Sequence, residues 1–371
     1  MERRTIITTV CSLVFTGLFS SSLSTAQELI KFGVSAPLSG PSATFGTDLK
    51  NIITFANQTL ANNRYTIVVE DDHCEGKDAM TVARKLVAID GVKAAFFACD
   101  TAALVAAPAY RARNVLVVTP LVTSPRFSTL GSTFFRLAPN DVDNARILVS
   151  HIGSHHHKLG ILTEAASEYC EDLAAEVEKA AHGKRLQLVH ERFGPDTSDF
   201  KSLLLRLQSR GIDSLFINPT SEEAFLIILK QLKQLGITLP IFGSYTPGSA
   251  TFLKNAGPLA EGIVYTDFPS PPRLDDTDQK LLAEFKQQFG PLNTWDVLFA
   301  SGIESFRIVH EALQSGGDPA EYIHKTKFHG LLGSYSFSAN GDISGVSNEL
   351  KQVRGGRGMS LNREIAGKPL S

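Results

Sequence analysis

Residues 93–104, "KAAFFACDTAAL", contain the change from strand to helix on which the fold prediction depends. Residues 92–98 are apolar apart from Lys93 and predict a short buried strand. Residues 101–110 predict a helix, with Asp100 at its N-cap position. Folds of the α/β class bind ligands where a strand of a parallel sheet is followed by a helix. Asp100 is therefore either a helix cap alone or a residue that faces a ligand.

Strands and helices alternate through most of the chain. Between residues 29 and 119, short apolar strands are separated by amphipathic helices, and the same alternation begins again near Asp143 and runs to the strand at residues 260–268. This order is typical of a parallel sheet covered by helices on both faces. We therefore predict an α/β protein with two doubly wound parallel-sheet lobes, a ligand cleft between them, and hinge closure as the expected motion.

Two breaks in the alternation mark where the chain is expected to pass between the lobes. They lie at residues 139–143 and in the proline-rich stretch "DFPSPPRLDD", residues 267–276. Two long helices predicted after the second break have no strand between them, so we expect them to pack on the first lobe. The predicted division is residues 27–142 plus 270–330 for lobe 1 and residues 143–269 plus 331–371 for lobe 2.

The C-terminal part of the chain has two different patterns. The stretch "LGSYSFSANGDIS", residues 332–344, predicts a β-hairpin with Asn340 and Gly341 in its turn. Residues 354–371 are poor in apolar side chains, and we expect them to fray.

Residues 1–26 have the pattern of a cleaved secretory signal peptide. Arg3 and Arg4 precede an apolar run, and Ser24 and Ala26 fit the small-residue rule for cleavage before Gln27. The alternative is a membrane anchor, but the run is short and rich in Thr and Ser for a membrane span. We therefore predict an exported, periplasmic protein.

Three cysteines, Cys74, Cys99 and Cys170, follow the predicted signal peptide. Disulfides persist outside the cytoplasm. Cys74 and Cys99 end two predicted strands, and neighbouring parallel strands can bring such ends together. A bridge there would stabilise the fold by roughly 3–4 kcal/mol on the chain-entropy account, with Cys170 left as a free thiol.

Composition and motifs exclude several function classes. The 371 residues have a formal net charge of −2, which gives no support for nucleic acid or an anionic membrane as partner. Dinucleotide, phosphate-loop, nucleophile-elbow and zinc-protease motifs are missing, so we predict no enzyme activity and no cofactor. Adjacent histidines at positions 155–157 favour a solvated loop over a metal site.

Small polar loops follow three of the predicted strands in the first half of the chain. They are "SAPLSGPSATFG", "CDTAA" and "TPLVTSP". Loops of this kind direct backbone N–H groups and hydroxyls into one crevice, which suits a small polar ligand.

These loops also carry a family resemblance. The chain resembles the branched-chain amino acid and amide solute-binding proteins of ABC importers in four segments, "APLSGPSATFG", "VEDDHCEGKDAMTVARKLVA", "VLVVTPLVTSP" and "AEGIVYT". The resemblance covers nearly the whole chain after the predicted signal peptide, from residue 29 to residue 342. The resemblance implies a type I periplasmic binding fold with three hinge crossovers and no catalysis. It also implies the Cys74–Cys99 disulfide, whose spacing matches that family.

The resemblance further implies a set of ligand-binding positions. Matched one by one onto this sequence, they are Phe45, Asp100, Leu121, Thr123, Tyr169, Thr220 and Tyr245. Two of them depart from the family pattern. Asp100 stands where the family has a hydroxyl residue that helps to hold the ligand carboxylate, and Tyr245 stands where it has an acidic partner for the ligand ammonium.

A carboxylate ligand that faced Asp100 would be repelled, and burial would strengthen the repulsion. We therefore expect Asp100 to select a group that donates hydrogen bonds or carries positive charge, rather than an ordinary α-amino acid in the family pose. The alternative is a plain helix N-cap, worth roughly 1 kcal/mol.

The predicted function is the extracytoplasmic solute-binding component of an ABC importer. The protein would capture an amino acid-like, amide, amine or hydroxylated compound. The resemblance implies a membrane permease and an ATPase as its partners, and we expect the protein itself to be a monomer. A ligand-sensing regulator on the same fold is the alternative, and an enzyme is the third.

Overall fold

The computed structural model describes residues 29–40, 42–165, 167–268 and 276–361. The predicted signal peptide, residues 1–26, and part of the second predicted break, residues 269–275, lie outside these ranges.

The described residues form three sheets and eleven helices. The strands are β1 (Lys31–Ala36), β2 (Thr66–Asp71), β3 (Ala94–Phe97), β4 (Leu116–Thr119), β5 (Phe134–Arg136), β6 (Lys158–Glu164), β7 (Gln187–Phe193), β8 (Ser214–Asn218), β9 (Ile241–Ser244), β10 (Val264–Asp267), β11 (Phe328–Gly330), β12 (Gly333–Phe337), β13 (Ile343–Ser344), β14 (Glu349–Arg354) and β15 (Arg357–Ser360). The helices are α1 (Ala43–Ala61), α2 (Gly76–Arg84), α3 (Asp100–Arg111), α4 (Asp141–His155), α5 (Glu168–Ala181), α6 (Lys201–Ser209), α7 (Glu222–Gln234), α8 (Ala250–Ala256), α9 (Asp276–Phe289), α10 (Asp296–Gln314) and α11 (Pro319–Lys325).

The first sheet has the strand order β2-β1-β3-β4-β5, and all its pairs are parallel. Successive side chains of β3 point to opposite faces, as strand geometry requires. Phe96 packs in the cluster that contains α1 and α10, whereas Phe97 packs in the cluster that contains α2 and α3. The sheet is therefore buried on both faces, which explains the uninterrupted apolar sequence of its central strands.

The second sheet has the order β15-β14-β10-β9-β8-β6-β7. Strands β6 to β10 pair in parallel, while β14 and β15 add an antiparallel edge. One face packs on α6, α7 and α8 and the other on α4 and α5. The predicted α/β architecture of two parallel-sheet lobes is confirmed.

The chain passes between the two sheets three times, after β5, after β10 and between β13 and β14. As predicted, α9 and α10 pack on α1 of the first lobe, where Phe55 meets Phe285 and Phe299 at ring-centroid distances of 5.5 and 6.4 Å.

The segment 331–344 packs differently from the predicted division. It forms the hairpin predicted at Asn340 and Gly341, but its side chains join the core of the first lobe, where the Phe337 ring lies 5.3 Å from that of Phe135. The Arg136 N–H donates to the Gly341 carbonyl at 3.0 Å, which holds the turn against β5. Only from β14 onward does the chain join the second sheet, so residues 331–344 belong with lobe 1; the other predicted boundaries stay predictions.

The start of the C-terminal tail is ordered, contrary to the expected fraying. Residues 354–360 continue β14 through a tight turn into β15. Gly355 and Gly356 occupy this turn at φ +57° and +73°, a backbone region that glycine enters without steric cost.

The predicted disulfide joins Cys74 and Cys99, with a Cα–Cα distance of 5.7 Å. It ties the loop after β2 to the residue that precedes α3. Cys170 is free and buried.

Within the described residues, no helix has the length and apolar character needed to cross a membrane.

Candidate functional site

The carboxyl ends of the parallel strands of both sheets converge on one region between the lobes. From lobe 1 come the start of α3, the loop after β4 and the segment after β5; from lobe 2 come the start of α5 and the residues after β9. In α/β folds, the loops at these strand ends are the ones that bind ligands.

Asp100 is the first residue of α3, and its carboxylate points away from its own helix. Its Oδ1 accepts hydrogen bonds from the backbone N–H groups of Thr123 (3.0 Å) and Ser124 (2.7 Å) in the loop after β4. The N-cap position is occupied by Cys99, whose side chain makes no capping bond. The interpretation of Asp100 as a plain helix cap is therefore wrong.

Asp141, the first residue of α4, places a second carboxyl group in the same region. It is fully buried, and its Oδ1 accepts from Asn144 Nδ2 at 3.2 Å. Its Oδ2 and the buried hydroxyl of Thr123 have no hydrogen-bond partner among the described residues. Burial raises the pKa of Asp141 to about 7, and the nearby charge of Asp100 raises it further, whereas Thr123 and Asn144 act in the opposite direction.

Burial also raises the pKa of Asp100, to about 6. The N–H of Ser124 and the charge of Arg136 oppose this rise. Arg136 itself is fully buried and is engaged elsewhere: it pairs with Asp342 at 2.7 Å and donates to the Ser124 carbonyl at 2.7 Å. The site therefore holds two carboxyl groups, those of Asp100 and Asp141, and the neighbouring cation, Arg136, is already paired with a third carboxylate, that of Asp342.

Lobe 2 contributes hydroxyl and amide groups that face these carboxyls. Asn144 Nδ2 donates to Ser244 Oγ at 2.8 Å, and its Oδ1 accepts from the Thr266 hydroxyl. The Tyr169 hydroxyl lies 3.5 Å from Ser244 Oγ. Burial and the charge of Asp141 raise the pKa of Tyr169 far above its ordinary value, so its phenol stays neutral.

Tyr245 connects the two lobes. Its φ of +49° is uncommon for a residue with a side chain, and its ring stacks on Phe268 with centroids 4.1 Å apart. Its hydroxyl lies 3.4 Å from Asn348 Oδ1, and Asn348 Nδ2, which is buried, has no partner among the described residues. Its carbonyl accepts from Trp295 Nε1 of lobe 1 at 3.2 Å, so the lobes are in contact here.

Ion pairs join the lobes at the rim of the cleft. Arg126, in the loop after β4, pairs with Glu168 and, at 2.9 Å, with Asp172, both on α5. The Ser124 hydroxyl donates to the same Asp172 carboxylate at 2.5 Å.

The structure brings together four of the seven predicted ligand positions, Asp100, Thr123, Tyr169 and Tyr245, around Asp141. Phe45 lies next to them through an edge contact with Trp295, at a ring-centroid distance of 5.8 Å. Leu121 is buried in the core of lobe 1.

Thr220 is exposed and belongs to a neighbouring group of contacts. Its backbone N–H donates to Glu164, and its hydroxyl lies 3.5 Å from the sulfur of Cys170. Burial raises the pKa of the Cys170 thiol to about 12, so this thiol is not a reactive thiolate near neutral pH. The ligand role of all seven positions remains a prediction.

Sequence reasoning missed five residues of the site: Asp141, Asn144, Ser244, Trp295 and Asn348. Asp141 lies within the predicted break at residues 139–143 and Asn144 directly follows it, and both are in the first turn of α4, which was a usable signal of a strand-end position. Trp295 is the sole tryptophan of the chain. Asn348 carried no local signal.

Two other kinds of site lack support among the described residues. An open depression of about 480 Å³ on lobe 2 is lined by backbone and side chains of Gly248, Ala250, Leu253, Lys254, Gly356, Arg357 and Gly358. It has none of the buried, unpartnered polar atoms of the region between the lobes. No cluster of three potential metal-ligating His, Cys, Asp or Glu side chains occurs in the part of the chain that the structure describes.

Known proteins share this fold and sequence pattern. A model of the periplasmic binding protein family matches residues 29–340. The leucine-, isoleucine-, valine-, threonine- and alanine-binding protein of Pseudomonas aeruginosa is 26% identical over 339 residues, which cover 87% of this chain and 89% of that protein.

Two solved structures show the same fold. A leucine-binding protein from Thermotoga maritima has a TM-score of 0.79 at 21% identity, covering 89% of this chain and 97% of its own. An ABC-transporter solute-binding protein from Rhodopseudomonas palustris, in complex with 3,4-dihydroxybenzoic acid, has a TM-score of 0.75 at 19% identity, covering 88% and 93%. From the match over residues 29–340, the chain belongs to the periplasmic binding protein family.

Proposed function

We propose that this protein is the periplasmic solute-binding component of an ABC importer, which captures one small polar ligand between its lobes and presents it to a membrane permease served by an ATPase. The family membership supports a binding protein rather than an enzyme. The names of two relatives, which specify leucine, isoleucine, valine, threonine and alanine in one case and 3,4-dihydroxybenzoic acid in the other, support a small organic solute.

One observation carries the proposal: buried polar atoms without partners lie where the two lobes meet. Thr123 Oγ1, Asp141 Oδ2 and Asn348 Nδ2 are all buried and unpartnered among the described residues. A buried polar atom without a hydrogen bond costs about 1–3 kcal/mol. A ligand that bonds to these atoms recovers that cost only when the lobes are closed, and thereby favours the closed state.

Trp295 provides a direct test. Its indole N–H bonds to Tyr245 of the opposite lobe in the closed form, so opening removes that bond and exposes the ring to water. We expect a binding ligand to change the tryptophan emission of the purified protein and to reduce its radius of gyration in small-angle scattering.

The matched control is Trp295→Phe, which removes the fluorescence signal and keeps the compaction. A ligand found by thermal shift that leaves the radius of gyration of the wild-type protein unchanged would contradict capture by lobe closure.

A further inference from the structure

The backbone N–H groups of Thr123 and Ser124 form a pair of donors directed at one point. Two backbone N–H groups that converge at the end of a strand form a binding site for a carboxylate or another anion, which accepts a hydrogen bond from each. In this protein the point is already filled, because Asp100 Oδ1 accepts from both groups at 3.0 and 2.7 Å. A ligand carboxylate could use these donors only by displacing Asp100, whose own negative charge would repel it.

The buried carboxyl group of Asp141 lacks a cationic donor. No cation or N–H group of the described residues donates to its Oδ2, and the Thr123 hydroxyl beside it is neutral. Arg136 is not free to fill this role, since its guanidinium is bonded to Asp342, Ser124 and Ser128. A buried carboxylate is stable when it is paired with a hydrogen-bonded cation.

The third unpartnered atom requires an acceptor. Asn348 Nδ2 is a buried amide donor, adjacent to Tyr245 through its other side-chain atom. Burial raises the pKa of Tyr245 well above its ordinary value, and the nearby charge of Asp141 raises it further. Carboxyl groups and neutral phenols surround this position. A ligand group that accepts from Asn348 is therefore favoured when it is uncharged, because a ligand anion would lose its water close to other negative charges.

We infer that the ligand is a protonated amine that carries a neutral acceptor, a carboxamide or hydroxyl, in place of a free carboxylate. Its ammonium group bonds to Asp141, while Asp100 keeps the N–H pair of Thr123 and Ser124 that a ligand carboxylate would otherwise use. This inference rests on the proposed function and specifies the class of its solute.

The test compares compounds that differ only in this group. Calorimetric titrations at about pH 7, where the α-amino groups of the acids and of the amides are both mostly protonated, use alanine, leucine and phenylalanine alongside alaninamide, leucinamide and phenylalaninamide. We expect at least one amide to bind, and to bind at least tenfold more tightly than its acid. Asp141→Asn should weaken that amide by about tenfold or more, as expected for the loss of a charged hydrogen-bond partner.

Two substitutions at Asp100 distinguish two ways in which it could exclude a ligand carboxylate: by occupying the N–H pair of Thr123 and Ser124, or by its negative charge. Asp100→Ala frees both N–H groups and should raise the affinity for the matching acid at least tenfold. Asp100→Asn keeps an oxygen in reach of both groups and should leave the acid weak. Equal recovery of acid binding in the two variants would show that charge alone excludes it, and would overturn the occupancy argument.

The wild-type comparison stands even if a variant fails to fold. Binding of any acid more tightly than its amide, or binding by none of the three amides, overturns the inference. If an acid binds and changes the Trp295 emission, the proposed function survives and only the inferred ligand class is wrong. If no compound of a broad solute library binds, the proposed function fails.

Discussion

Arg126 lies in the loop after β4 and Arg136 is the last residue of β5. Each bonds to carboxylates, but their surroundings are opposite. Arg136 is 0% exposed and pairs with Asp342 inside lobe 1, whereas the Arg126 side chain is 49% exposed and pairs with α5 across the rim of the cleft. Charge pairs gain little in water and are costly to break when buried. The interior pair thus shapes the fold and the site, and the rim pairs adjust how readily the lobes separate.

The largest effect is expected at the interior pair. Arg136→Met leaves the Asp342 carboxylate and the Ser124 carbonyl without their donor, so the free energy of unfolding should fall by about 3–5 kcal/mol. Arg126→Met, the matched control at the rim, should lower it by less than about 1 kcal/mol. Urea denaturation measures both. Similar losses in the two variants would remove the distinction between interior and rim.

A smaller, pH-dependent effect is expected at Asp141. Its pKa in the folded protein, about 7, is above the ordinary value of 3.8, so the folded state holds the proton more tightly than the unfolded state. The ligand-free protein should therefore lose stability as pH rises from about 4 to about 7.

Asp141→Asn removes the ionisation and keeps an oxygen for Asn144. The variant should match the wild-type protein near pH 4 and exceed it by up to about 4 kcal/mol near pH 8, since the pKa differs by about 3 units and one unit corresponds to about 1.4 kcal/mol. Thermal or urea unfolding across this pH range measures the difference. A wild-type stability that rises through the same window in the absence of ligand would contradict the assignment.

The smallest effect is expected from the rim. Asp172→Asn removes the charge that Arg126 and Ser124 share across the cleft, so the open form should gain population and ligand affinity should fall by less than about fivefold. The deficit should shrink in about 0.5 M salt, which screens exposed charges. A salt-independent loss of tenfold or more would place Asp172 with the interior groups.

The arrangement of the site followed only in part from local sequence. Thr123, Tyr169 and Tyr245 were expected near the ligand and do surround Asp141 with Asp100, but the alternative of Asp100 as a plain helix cap was wrong. Its bonds run to a loop that lies after the next strand, and helix-start statistics describe only contacts within the same helix. Asn348 reaches the site from the crossover between β13 and β14, where nothing in its own neighbours indicates a cleft.

By itself, the sequence determined the α/β class, the two-lobe architecture, the family, the Cys74–Cys99 bridge and the turn at Asn340 and Gly341. The class, the architecture and the turn depend on periodicity and turn chemistry that are local along the chain. The family and the bridge came from the resemblance of its motifs to a known family. The tertiary structure alone decided that residues 331–344 pack on lobe 1, that β15 pairs with β14, and that Asp100 fills the N–H pair of Thr123 and Ser124. The first and third join separate segments of the chain, and such contacts depend on which faces meet after the chain has folded. The pairing of β15 with β14 is local, but the low apolar content of residues 354–371 did not indicate a strand.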